Sequence, residues 1–137
     1  MMCESRFLKI GRVSGVGDDF FSCVSAELGG RPHELLEAMA QCAAYHVRYL
    51  TDFNRQAFLL KVAAAPVLSG GVTGRVDLTA TLTGVSRDAR AYNVTAKWRD
   101  QEICASLLIG TTPYNEKFEG KRLSPYYQEI FACLMND

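Results

Sequence analysis

Glu34-Leu35-Leu36-Glu37-Ala38-Met39-Ala40-Gln41-Cys42-Ala43-Ala44-Tyr45-His46-Val47-Arg48-Tyr49-Leu50 is the stretch that decides the fold. Leu35, Leu36, Ala38, Met39, Ala40, Cys42, Ala43, Ala44, Val47 and Leu50 cover most of a helical circumference. A helix apolar nearly all round belongs inside a core. At about 1.5 Å per residue it makes a rod of roughly 25 Å, comparable with a strand of about seven or eight residues. A curved sheet can therefore wrap it along its length. Gly29-Gly30-Arg31-Pro32 leads into it, and Pro32 suits a first helical turn because the first N–H groups have no partner within the helix.

Working outward, Phe7 to Val13 and Phe20 to Leu28 favour strand, with turn chemistry at Gly15-Val16-Gly17-Asp18 between them. This predicts a hairpin before the helix. Beyond the helix, Ala57 to Ala64 is strand-like. From Gly74 to Val85, the residues Val76, Leu78, Ala80 and Leu82 alternate with Asp77, Thr79, Thr81 and Thr83, the period of a half-buried strand. Turns at Ser86-Arg87-Asp88 and Arg99-Asp100-Gln101 connect two more strands, Ala91 to Trp98 and Glu102 to Thr112. Long strands joined by short turns imply antiparallel neighbours. Ser124-Pro125 then predicts the start of a C-terminal helix carrying Tyr127, Ile130, Phe131 and Leu134 on one face. The expected class is α+β: one long central helix laid on an antiparallel sheet of five to six strands.

The chain has 137 residues, with 15 Lys plus Arg against 15 Asp plus Glu. That length predicts a single domain over residues 1–137, with a core at 1–113 and a C-terminal extension at 114–137. The balanced charge argues against nucleic acid as a partner, since there is no basic run to meet a phosphate backbone. No window approaches the roughly 20 apolar residues that span a bilayer, and Glu4 and Arg6 interrupt the N-terminus where a secretory leader would be apolar. No membrane association and a cytoplasmic location are the expectation. Cys3, Cys23, Cys42, Cys104 and Cys133 are scattered without a CxxC spacing, so they read as small reduced apolar residues. Neither a metal-ligand cluster nor a nucleotide, nicotinamide or serine-hydrolase motif is present, so no cofactor and no metal are expected.

Within the helix, Glu37 and Gln41 interrupt an apolar run. A carboxylate removed from water must be paired, hydrogen-bonded or protonated, and a desolvated carboxyl has the raised pKa a general acid needs. The alternative is that Glu34, Glu37, Gln41 and Arg48 share one solvated stripe, which helical spacing equally permits.

Leu35-Leu36 followed by Glu37-Ala38-Met39-Ala40-Gln41, then Phe58-Leu59-Leu60 and a Gly-containing turn before a long alternating strand, resembles the β-hydroxyacyl-acyl-carrier-protein dehydratases, the FabA/FabZ-like hotdog proteins. The likeness runs from about Phe7 to Gly110. It implies a hotdog fold, a homodimer or a heterodimer with a related hotdog subunit, and an acyl chain carried on acyl-carrier protein or coenzyme A. It further implies hydro-lyase chemistry of fatty-acid or polyketide-type synthesis. Glu37 matches the family's helix glutamate, which helps expel the hydroxyl as water. Pro32, Gln41, Phe58 and Leu59 fall along the implied acyl-binding wall.

Two departures accompany the match. The family's histidine loop is absent, and the family's spacing back from Glu37 lands on Cys23. The family's glycine five residues before the glutamate is Pro32, which has no N–H to offer an oxyanion. His33, four residues before Glu37 on the same helical face, is the candidate replacement base, and the His33 and Glu34 amides are the candidate oxyanion donors. His46 points elsewhere. Three functions follow: a dehydratase-like enzyme, a non-catalytic dehydratase-like subunit or acyl-binding partner, and an acyl-thioesterase in which a helix carboxylate directs water at the thioester.

Overall fold

The structure, a computed structural model, describes residues 8–66, 70–114 and 120–136, with side chains left out at 120–124 and 136. Helix α1 occupies Glu34–Leu50, the bounds its apolar pattern predicts. The predicted hairpin is present as β1 (Ile10–Val16) and β2 (Phe20–Ser25), and Val13 pairs with Cys23. The strand reading of Phe20 to Leu28 is too long, because the chain leaves the sheet after Ser25. Leu28–Gly29 forms a separate short strand, β3, which pairs with β5 (Thr73–Gly74) beside the main sheet.

After α1 come β4 (Arg55–Ala64), β6 (Asp77–Val85), β7 (Ala89–Trp98) and β8 (Gln101–Pro113). The six long strands form one antiparallel sheet in the order β1-β2-β6-β7-β8-β4. The hairpin that precedes the helix and the strand β4 that follows it thus end on opposite edges, and α1 packs against the sheet between them.

Period-two alternation explains which face is apolar. Leu78 and Ala80 of β6, Tyr92, Val94 and Ala96 of β7, and Leu107 and Ile109 of β8 are buried. They meet Leu35, Ala38, Met39, Cys42, Ala43 and Val47 of α1, all at most 1% exposed. The opposite face is polar, with Ser22 and Thr79 hydroxyls 3.0 Å apart and Ser106 donating to Asn93 at 2.9 Å. Truncating a buried residue such as Met39 to Ala removes about 2–5 kcal/mol in a core of this kind.

Helix α1 ends without a glycine. Asp52 and Phe53 both take positive φ, 52° and 59°, while the Phe53 amide donates to the Arg48 carbonyl at 2.7 Å. Such a conformation is unfavourable for a bulky side chain unless packing holds it. Phe53 is buried, with its ring 5.4 Å from that of Phe131.

Phe131 belongs to α2 (Gly120–Asn136), which packs beside β1 and α1. This helix starts earlier than the Ser124-Pro125 signal predicts, and Pro125 lies inside it. A proline there forfeits one backbone bond, which is tolerated near a helix start where few turns precede it. Cys23 and Cys42 are free and buried and Cys104 is free and exposed, as the reduced reading requires, but Cys133 is disulfide-bonded. Pairing depends on approach in space, which scattered spacing along a chain does not encode. Among the described residues, no helix is long and apolar enough to cross a membrane, and no cluster of His, Cys, Asp and Glu could hold a metal ion.

Candidate functional site

Glu37, Gln41, Ala44 and Arg48 recur at four-, three- and four-residue intervals, so they form one row along α1. Opposite this row runs the edge strand β4. Between them lies an open cleft of about 350 Å³, within the range of small-molecule sites. Leu36, Ala40 and Ala44 of α1 and Ala57, Phe58 and Leu59 of β4 supply its apolar walls. His33 and Glu37 stand at the end nearest the helix start, and Arg48 lies three turns further along.

The sequence-derived residues divide accordingly. Glu37, His33, Gln41, Phe58 and Leu59 all line the cleft. Pro32 does not: it is exposed in the turn before α1 and contributes nothing to the cleft wall. The expectation of a buried Glu37 is corrected, since its side chain is 47% exposed, and it pairs with His33 at 3.8 Å. A position on the rim rather than the floor of the cleft accounts for this. The solvated-stripe alternative holds for Glu37 and is corrected for Glu34 and Arg48, which are 6% and 7% exposed.

Gln41 does structural work as well, its side-chain oxygen accepting the Lys9 amide at 2.6 Å and so tying the N-terminal segment to α1. Phe58 lies flat over Gly110, its cross-strand neighbour. A Cβ at position 110 would sit 2.6 Å from two ring atoms, so only glycine there lets the ring adopt this place.

Glu34 closes the turn that precedes α1. Its carboxylate accepts the Gly29 amide at 3.1 and 3.2 Å and the Arg31 amide at 3.1 Å, with the Lys9 ammonium at 3.7 Å. The Gly29 and Arg31 bonds hold its pKa below the ordinary carboxylate value, against the opposing effect of burial. The Gly29 amide of β3 and the Arg31 amide of the turn before α1 are therefore already occupied. The Glu34 amide, expected as a substitute oxyanion donor, is itself directed at the Arg31 carbonyl at 3.2 Å.

His46 is fully buried beneath the sheet, away from the cleft. Its Nε2 lies 2.8 Å from the Gly17 carbonyl and its Nδ1 2.6 Å from the Tyr92 hydroxyl. A carbonyl only accepts, so Nε2 carries the proton and Nδ1 accepts from Tyr92. Burial lowers the His46 pKa, opposed by the Gly17 bond and the charges of Asp19 and Asp18. Cys23 is likewise buried, so it does not stand in at the cleft for the missing histidine.

Arg48 is the cleft residue that sequence reasoning placed only in a solvated stripe. Its place in the Glu37-Gln41-Ala44 row was the available signal, since a residue sharing a row with cleft residues shares their surroundings.

No protein-family model and no curated protein matches the chain. Solved structures do match in fold. A mutant thioesterase from Pseudomonas aeruginosa superposes with a TM-score of 0.60 at 15% identity, over 74% of this chain and 81% of that one. A hypothetical thioesterase with coenzyme A from Streptococcus pneumoniae gives 0.60 at 11% identity, over 74% and 85%. The ApeI:P dehydratase heterocomplex from Xenorhabdus doucetiae gives 0.58 at 13% identity, over 85% and 90%. With a six-stranded antiparallel sheet around α1 and a C-terminal helix added, the chain has the hotdog fold.

Proposed function

We propose that this chain binds acyl thioesters in the cleft between α1 and β4 and hydrolyses them, with Glu37 directing water at the thioester carbonyl. The observation that carries this reading is one carboxylate, beside an imidazole, at the mouth of an apolar-walled cleft. The water oxygen bonds to the carbonyl carbon as its proton passes to Glu37. Collapse of the tetrahedral adduct breaks the C–S bond, and the thiolate recovers the proton, giving a carboxylic acid and a thiol. Coenzyme A is a suitable thiol carrier, in keeping with its presence in the Streptococcus structure.

Elimination of water from a β-hydroxyacyl thioester fits less well. It needs a base facing the acid across the substrate, and among the described residues the imidazole at the cleft is His33, one turn from Glu37 on the same helix. Hydrolysis needs a single carboxylate. The dehydratase-like reading is tested alongside: release of free thiol from acyl-coenzyme A, lost in Glu37→Ala, supports hydrolysis, whereas enoyl formation from a β-hydroxyacyl thioester without thiol release would overturn it in favour of elimination.

A second reading is that the chain binds acyl groups without converting them, paired with a related hotdog subunit that carries the chemistry. Pro32 has no N–H, and the Glu34 amide is engaged by the Arg31 carbonyl, so two of the candidate oxyanion donors at the helix start are lost. Losing one such donor typically costs about 3–4 kcal/mol at the barrier. Under this reading the purified chain binds acyl thioesters with no thiol release, and turnover appears only when a histidine-bearing homologue is co-expressed.

A further inference from the structure

Arg48 is a buried cation with no countercharge among the described residues. One Nη2 hydrogen bond runs to the Ala57 carbonyl at 3.1 Å, while Nε is buried with no hydrogen-bond partner among the described residues. The guanidinium carbon lies 4.0 Å from the Tyr127 ring centroid and 5.0 Å from that of Tyr45, so it contacts an aromatic ring from each of α2 and α1. No carboxylate of the described residues comes within ion-pair distance of it. A guanidinium has five N–H donors, and a charge withdrawn from water calls for an anion. The Tyr114 hydroxyl is also buried and unpartnered among the described residues. Burial pushes its pKa up, and the Arg48 charge works in the opposite direction.

Arg48 also lines two spaces at once. One is the cleft described above. The other is a cavity of about 220 Å³ between α1 and α2, walled by Tyr45, Tyr126, Tyr127 and Ile130 and sharing Gln41 and Arg48 with the cleft. A chain entering past Glu37 thus runs along α1 and meets a guanidinium at its far end.

We infer that Arg48 binds a carboxylate at the distal end of the acyl chain, making ω-carboxyacyl thioesters the preferred ligands. This rests on the thioester reading of the cleft. Eleven residues separate Glu37 from Arg48, about 16 Å along the axis. An extended chain covers about 1.2 Å per bond, by analogy with three backbone bonds per residue, so the span, less about 3 Å of hydrogen-bond contact at one end or at both, suits a diacid of roughly nine to twelve carbons.

The test is calorimetric binding of decanoyl-coenzyme A and of the monothioester of decanedioic acid with coenzyme A, to wild type, Arg48→Met and Arg48→Lys. Charge-assisted bonds of this kind predict that wild type prefers the carboxylate-tipped ligand by about ten- to a hundredfold. Arg48→Met abolishes the preference, and Arg48→Lys keeps part of it. Equal binding of the two ligands by wild type overturns the assignment of Arg48 and leaves the thioester reading standing, and this arm needs no variant to fold. Failure of both thioesters to bind overturns both readings.

Discussion

The Glu34 carboxylate reaches back five residues to the Gly29 amide, which bonds both of its oxygens, at 3.1 and 3.2 Å. Gly29 permits this because a Cβ there would sit 3.2 Å from the nearer oxygen. With Arg31 and Lys9 completing its surroundings, Glu34 fixes the turn from β3 into α1, and with it the position of His33 and Glu37 at the cleft mouth. Glu34→Ala should therefore lower Tm by more than Glu37→Ala, whose side chain is half in solvent. A thermal scan with the reverse order would remove Glu34 from this role.

The same contact predicts a pH dependence. The Glu34 pKa in the folded chain lies below its ordinary value, chiefly through the Gly29 and Arg31 bonds. Its stabilisation is therefore fully present above the ordinary carboxylate pKa and is lost as pH falls through the lower folded value. The Tm gap between wild type and Glu34→Gln should be constant near neutrality and close on acidification. A gap that widened on acidification would contradict the assignment.

His46 titrates in a higher window with the same sign. Burial lowers its folded pKa, so the unfolded chain takes up the proton first as pH drops below about 6.5. Stability is full above that value and declines as pH falls toward the folded pKa. His46→Ala leaves the Tyr92 hydroxyl and Gly17 carbonyl unpaired and opens a void, for an expected loss of about 2–4 kcal/mol. Chemical denaturation of wild type and variant at neutral and mildly acidic pH measures both; the variant should lack the acid-side decline in this window.

Gly110→Ala tests the cleft wall. The added Cβ would meet the Phe58 ring at 2.6 Å, so the ring must swing away from its seat. Acyl-thioester affinity should fall several-fold, with a stability cost of about 1–3 kcal/mol. In Phe58→Ala/Gly110→Ala the clash is gone, so the stability costs should fail to add. Strict additivity in a double-mutant cycle would show that the two residues do not touch.

The helix and the meander were legible because their periods are unambiguous: α1 keeps the bounds its apolar pattern implies, and Val76 to Leu82 alternate as read. The edges were less legible. Leu28 looked like the end of β2 because propensity cannot see that the chain leaves the sheet to pair with Thr73–Gly74. Glu37, Gln41, Phe58 and Leu59, singled out from a motif, line the cleft, while the burial of Arg48 and Glu34 was not legible. Their charges suggest solvent, and only tertiary contacts with Tyr127 and with the Gly29 amide make their burial tolerable. Pro32 lies outside the cleft for the opposite reason: a place in a motif does not aim a side chain into a cleft.

The edge strand β4 supplies the last prediction. It ends the sheet, and Phe58, Leu59 and Leu60 on it are 39%, 42% and 54% exposed. Unpaired backbone groups beside exposed apolar side chains invite pairing with another strand, and a second copy of β4 offers the same surface across a two-fold axis. Such pairing would also cover the open side of the cleft that Phe58 and Leu59 wall, making the dimer the binding unit. The 15.2 kDa chain should therefore run at twice its mass in light-scattering chromatography, and Leu60→Lys, which sets like charges near the axis, should shift it toward monomer and weaken acyl binding in parallel. A wild-type monomer that binds acyl thioesters at full affinity would separate the cleft from the edge and defeat this account of it.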